Sequence, residues 1–211
     1  MKIIAPFLLG GLLAGFPGSA VCAADATALK LTPIFNGTNL AGWRAPQPNP
    51  FWTVRDGVLI GTNDESLRGN VIYTESRYTN FVLELEARWS GDIDSGVMLR
   101  APELQVQFGI SRSLKVDMTG AFYLTKSPTN TKVGYPEAGH TKGLAVVFKP
   151  EDWNHFRIEA RGDTFTVWCN GQRISQYTDP RYPGGAPLGL QVHPGLKMKI
   201  EFRHLYAAEL D

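Results

Sequence analysis

Cysteine is scarce: the 211 residues hold two, Cys22 and Cys169. If Cys22 leaves with an N-terminal leader, Cys169 is the lone thiol and no internal disulfide can form. An excess of one charge is also missing, since 21 Lys and Arg face 20 Asp and Glu. That balance leaves no electrostatic footprint for nucleic acid, an anionic membrane or an acidic partner. Past the first residues, no apolar run is long enough for a transmembrane helix. Helical periodicity is nearly absent, and so are a glycine-rich phosphate loop, a nucleophile elbow and a redox cysteine pair. His140, His155 and His204 are scattered and make no metal motif, so no cofactor is expected. A calcium ion held by backbone carbonyls would leave little trace in a sequence, and a divalent cation stays open.

Glycine (22) and proline (14) are generous and imply many turns. The N-terminus has the parts of an export signal: Lys2, an apolar stretch from Ile3 to Phe16, and Val21-Cys22-Ala23 as a cleavage site. Residues 1–23 are therefore expected to be a signal peptide, 24–30 a linker and 31–210 a single domain, exported to the periplasm or the extracellular space. Lipid anchoring through Cys22 competes, but Val21 is a poor residue before a lipidated cysteine.

The remainder has the pattern of strands and turns. In Phe81–Trp89, Phe81, Leu83, Leu85 and Ala87 face one way, while Glu84, Glu86 and Arg88 face the other. His155–Arg161 repeats the alternation. Gly162-Asp163 and Asn170-Gly171 then turn the chain twice, predicting an antiparallel meander of three strands. Further strands are predicted at 51–54, 58–60, 70–73, 96–100, 104–108, 121–124, 144–148, 188–193 and 197–204. Many short strands without interleaved helices point to an all-β sandwich of two antiparallel sheets. The longest irregular stretch, 126–143, is either a functional loop or a solvated insertion.

Two segments could carry chemistry. After Pro102, alternation puts Glu103, Gln105 and Gln107 on one face, with Leu104, Val106 and Phe108 on the other. Such a polar row suits hydroxyl recognition on a concave sheet, or is an ordinary solvated face. It argues against retaining glycoside hydrolysis, which needs two carboxyl groups about 5–5.5 Å apart, because amides follow Glu103. In the second segment, Gln191 and His193 share the face opposite Leu190 and Val192, and a histidine at a strand end is well placed for proton transfer. Arg100, two positions from Met98, could clamp an oxyanion or pair with a carboxylate.

Several short pieces occur in order over 31–210: Pro33-Ile-Phe-Asn-Gly-Thr-Asn-Leu-Ala-Gly-Trp43, Trp52-Thr-Val-Arg-Asp-Gly-Val-Leu59, Asp94-Ser-Gly96 with Arg100, Glu103-x-Gln105, Gly120-Ala-Phe-Tyr123, Asp152-Trp-Asn154 and Leu190-Gln-Val-His193. Together they resemble the 3-keto-disaccharide hydrolase-like family, described as 3-keto-glucoside-1,2-lyases and 3-keto-2-hydroxy-glucal hydratases. The resemblance implies a concanavalin A-like jelly-roll β-sandwich, export, and an oxidised disaccharide or glucoside as substrate. Two positions depart from the family pattern: Asp94 stands in place of Asn, and Phe108 in place of an Asp that could be a polar site residue.

In the implied reaction a 3-keto group acidifies the C2 proton, a base removes it, a donor holds the enolate, and the C1 substituent leaves. The expected catalytic set is Glu103 as base, His193 as its acid–base partner and Arg100 on the enolate. The expected substrate-binding set is Gln105, Gln107, Gln191, Tyr123, Asp94 and Trp52. Two alternatives compete: a non-catalytic carbohydrate-binding module, with Trp43 or Trp52 as stacking platforms, and a conventional glycoside hydrolase.

Overall fold

A computed structural model describes residues 29–126, 131 and 133–211 of the chain. The expected leader, Cys22 and residues 24–28 of the linker lie outside the described residues, as do 127–130 and 132 of the long loop. In chain order the strands are β1 (Thr32–Pro33), β2 (Trp43–Arg44), β3 (Trp52–Arg55), β4 (Val58–Thr62), β5 (Asn70–Thr74), β6 (Phe81–Trp89) and β7 (Asp94–Arg100). They continue with β8 (Leu104–Gly109), β9 (Phe122–Leu124), β10 (Asn154–Arg161), β11 (Thr164–Cys169), β12 (Gln172–Thr178), β13 (Gly189–Val192) and β14 (Lys199–Glu209).

They form two antiparallel sheets, the jelly-roll sandwich expected. The larger runs β12-β11-β10-β6-β14-β4-β3 with β1 beside β14, and the smaller runs β2-β5-β13-β7-β8-β9. The expected meander is β10, β11 and β12. Alternation decides which side chains enter the core. Across the smaller sheet Ile72, Leu190, Val97, Val106 and Phe122 stand in register and are all buried. Leu83, Ile158 and Val167 face them from the larger sheet. The solvent face of the larger sheet carries cross-strand ion pairs, Arg157–Glu84 at 2.8 Å and Arg88–Glu201 at 2.9 Å.

Three expectations need correction. The predicted strand over 144–148 is instead a single helical turn, Leu144–Val147, entered through Gly143 at φ 71°. Asn170 donates to the Val147 carbonyl, and Asn154 bonds both backbone groups of Lys149. These side chains take the place of a ladder partner, and Val146 is left 83% exposed.

Phe108 is fully buried on the inner face, 4.5 Å from Phe156 and 5.7 Å from Trp89 between ring centroids. Its position holds the core and takes no part in the outer face of the sheet. Arg100 lies on the unexpected side. A register shift between Met98 and Arg100 breaks the alternation, so Arg100 pairs with Leu104 and turns into the interior.

Candidate functional site

The outer face of the smaller sheet carries two cross-strand rows. Tyr73, Gly189, Met98, Gln105 and Tyr123 stand in register, and beside them Val71, Gln191, Gly96 and Gln107. Asp94 and His193 lie at the end of these rows, where β7 begins and β13 finishes. A cleft of about 310 Å³ opens there, with Gln105, Gln107 and Gln191 on its floor and Tyr123 and Tyr135 in its wall. That volume is at the low end of small-molecule sites, ~300–1,000 Å³.

Its hydrogen bonds have a direction. Asp94 is 6% exposed, and its two carboxylate oxygens accept from Gln107 Nε2 at 2.8 Å and from the Arg112 backbone N–H at 3.0 Å. A carboxylate only accepts, so Gln107 must turn its NH₂ to Asp94 and its oxygen to Gln105. Gln105 Nε2 then shares its two hydrogens among three acceptors, Gln107 Oε1, Gln191 Oε1 and the Ser95 carbonyl, each at 3.0 Å. The chain ends with two groups lacking an intramolecular partner among the described residues: Gln105 Oε1, an acceptor, and Gln191 Nε2, a donor. Gly96 makes this crossing possible, because a Cβ there would collide with Gln105 Nε2 and the Val106 carbonyl.

His193 is oriented by its own turn. Its Nδ1 lies 2.7 Å from the Pro194 carbonyl, which can only accept. Nδ1 therefore carries the proton, and the neutral ring keeps its lone pair on Nε2, the form a general base requires. The two phenols are donors. Desolvation, reinforced by the charge of Asp94, raises Tyr123 above the ordinary tyrosine value. Burial pushes Tyr135 up to about 12 despite a hydrogen bond with Ser111. The rings stand 4.8 Å apart.

Of the residues expected from sequence, the cleft brings together His193, Gln105, Gln107, Gln191, Tyr123 and Asp94. Three lie elsewhere. Glu103 sits in the turn between β7 and β8, in a depression shared with Arg77 and Arg181. Asp94 and Arg100 bracket β7, so Glu103 is about 20 Å along the strand from the His193 end, at ~3.3 Å per residue. The expected Glu103–His193 pair does not form.

Arg100 is 3% exposed and donates to the carbonyls of Tyr182 (3.2 Å), Thr79 (2.6 Å), Leu99 (3.2 Å) and Tyr78 (3.4 Å). It lies over the rings of Phe81 and Phe165, and desolvation lowers its pKa to about 10. It is a structural cation without access to an enolate. Trp52 is 2% exposed, with its indole N–H on Asn70, and Trp43 is 5% exposed, donating to the Ile34 carbonyl. Neither offers a stacking platform.

Residues 30–207 match the sequence profile of the 3-keto-alpha-glucoside-1,2-lyase-like domain. The chain belongs to this family. The lyase-like domain is thereby a carbohydrate-active one, and no curated protein matches the chain. Solved structures similar to it share the fold. A provisionally assigned glycosyl hydrolase of Parabacteroides distasonis is 21% identical, with 86% of this chain and all of that one covered and a TM-score of 0.62. The kappa-carrageenase of Pseudoalteromonas carrageenovora is 13% identical, over 90% of this chain and 98% of that one, at 0.58. The carbohydrate-binding module CBM66 of Bacillus subtilis is 15% identical, over 81% and 98%, at 0.51. One architecture thus serves an enzyme and a binding module, and the site must decide the function.

Sequence reasoning missed Tyr135 and Arg112, which also line the cleft of the lyase-like domain. Arg112 Nη1 donates to the Gly195 carbonyl at 2.6 Å, tying the segment after β8 to the turn that follows His193. An aromatic between Gly134 and Pro136, in a loop with no core to fill, was the available signal for Tyr135. Among the described residues no three His, Cys, Asp or Glu side chains cluster as a metal-binding set, and no helix there is long and apolar enough to cross a membrane.

Proposed function

We propose that the cleft binds a 3-keto-glucoside and eliminates its C1 substituent after removal of the C2 proton, followed by hydration of the glycal. The observation that carries this reading is the free Nε2 of His193 beside an oriented row of amides. In this scheme Nε2 takes the C2 proton and the electron pair forms the C1–C2 double bond. The C1–O bond breaks, and the aglycone departs as an alcohol by taking that proton from the His193 imidazolium, which restores the base. Charge developing on the C3 oxygen falls to neutral donors: Gln191 Nε2 and the phenols of Tyr123 and Tyr135. Gln105 Oε1 accepts from a sugar hydroxyl. Glu103 and Arg100 have no part in this scheme, and the reading includes export of the domain.

The Tyr123–Tyr135 pair favours a second reading, a carbohydrate-binding module in which these rings contact a sugar face. Incubation with a 3-keto-glucoside, with and without chelator, separates the two. Loss of substrate with a growing enone-type absorbance is expected, and its response to chelator reports on a cation. No turnover, together with saturable binding of an unoxidised glycan, would replace the enzyme by the binding module.

A further inference from the structure

A second and larger depression, of about 540 Å³, lies between the segment 138–143 and the edge strand β12. Its polar lining consists of His140, Lys142, Arg173, Gln172, Gln176 and one serine, with no carboxylate. Three nitrogen-bearing side chains, His140, Lys142 and Arg173, line it. Lys142 and Arg173 are both exposed, and neither is in an ion pair among the described residues. His140 Nε2 is the one buried side-chain polar atom among the described residues that lacks a hydrogen bond. Buried polar groups are normally satisfied, so a nitrogen left this way in the lining of a depression with two cations marks a place where a hydrogen-bonding partner is missing.

The depression is built, not frayed. Lys142 N–H donates to the Ile174 carbonyl at 2.7 Å, and Thr141 Oγ1 to the Thr119 carbonyl at 2.8 Å. Gly143, at φ 71°, lets the Gln172 amide lie against the backbone, since a Cβ there would meet Gln172 Nε2 at 2.9 Å. Cations and amides together match a group with several oxygen acceptors and negative charge.

We propose that this depression is a second binding site, separate from the His193 cleft, for an anionic oxygen group: the carboxylate or sulfate of an acidic saccharide, or a free oxyanion. The segment that carries His140 and Lys142 also carries Tyr135, so one stretch of chain contributes to both sites.

The test is a titration of the ¹⁵N-labelled full chain at constant ionic strength with sodium sulfate, inorganic phosphate, glucuronate and glucose against chloride, following the Gln172, Gln176 and Gly143 amides. Saturable shifts with the oxyanions, and none with glucose or chloride, are expected. Arg173→Gln and Lys142→Gln each weaken binding at least about tenfold, the loss expected for a charge-assisted hydrogen bond. Both residues are exposed, so both variants should fold, and an unchanged thermal midpoint checks this. Glucuronate binding more tightly than sulfate identifies an acidic saccharide; the reverse order identifies a free oxyanion. His193→Ala leaves these shifts intact, which separates this site from the fate of the cleft. Shifts that saturate with no anion, that glucose produces equally, or that both variants retain at full affinity overturn the proposal.

Discussion

Asp94 accepts a hydrogen bond from the side-chain amide of Gln107 at 2.8 Å, and this contact orients the whole floor of the cleft. Because the carboxylate cannot donate, each amide beyond it has one permitted orientation, ending with the free donor of Gln191. An asparagine at position 94 would satisfy one of its two donors and turn an NH₂ against the other. Asp94→Asn is expected to lower kcat/KM on a 3-keto-glucoside by about tenfold or more, consistent with ~1.5–3 kcal/mol for hydrogen bonds to a charged group. Unchanged kcat and KM would show that the amides do not take their direction from Asp94.

His193→Ala should remove turnover by a factor of about 10²–10⁴, the usual scale for loss of a positioned acid or base. Glu103→Gln should leave it within about threefold, since a general base must lie within hydrogen-bond reach of the proton it removes. The paired measurement is direct. A dead Glu103→Gln enzyme beside an active His193→Ala enzyme would reverse the assignment of the base.

Arg100 predicts a stability effect instead of a kinetic one. Its buried guanidinium donates to four backbone carbonyls, of which that of Tyr78 also accepts from the Ala186 N–H. Arg100→Met should destabilise the fold by about 3 kcal/mol or more, because it removes all of these hydrogen bonds, those to Leu99 and Tyr182 in the interior. Urea unfolding measures the loss. Turnover per folded molecule should not change, and a specific loss of kcat in a fully folded Arg100→Met protein would put the cation back in the chemistry.

Asp179 supplies a pH dependence. The Arg181 side chain bonds it bidentately, and Tyr177 OH donates to it at 2.7 Å. The hydrogen bond from Arg181 is the main cause holding its pKa down to about 2. A folded value below the unfolded value of ~3.9 means that the contact stabilises fully above about pH 4 and loses this contribution as pH falls toward 2. Asp179→Asn should be less stable at neutral pH and show a flatter decline across that window. Parallel acid-unfolding curves for the two proteins would contradict this.

The strand pattern was legible because alternation is local: β6 and β10 bury Leu83, Leu85, Phe156 and Ile158 as their sequence predicts. Gln105, Gln107, Gln191 and His193 could be placed on outer faces for the same reason. Glu103, Arg100 and Trp52 could not be placed this way. Glu103 lies one residue before its strand, where alternation no longer applies. Arg100 follows a register shift that no residue type announces. Trp52 is an amphipathic ring, and only the opposing sheet decides whether such a ring packs inside or stacks on a ligand.

The sequence alone determined the sandwich, where most of its strands lie along the chain, the family, and the polar row that floors the cleft. These follow from side-chain periodicity and turn chemistry, which act over a few residues. Tertiary structure decided which carboxylate accompanies His193, that Tyr135 closes the wall of the cleft, and that the guanidinium of Arg100 is structural. Each of these depends on groups distant in the chain meeting across strands. Such meetings are set by register and packing, which alternation within one strand does not encode.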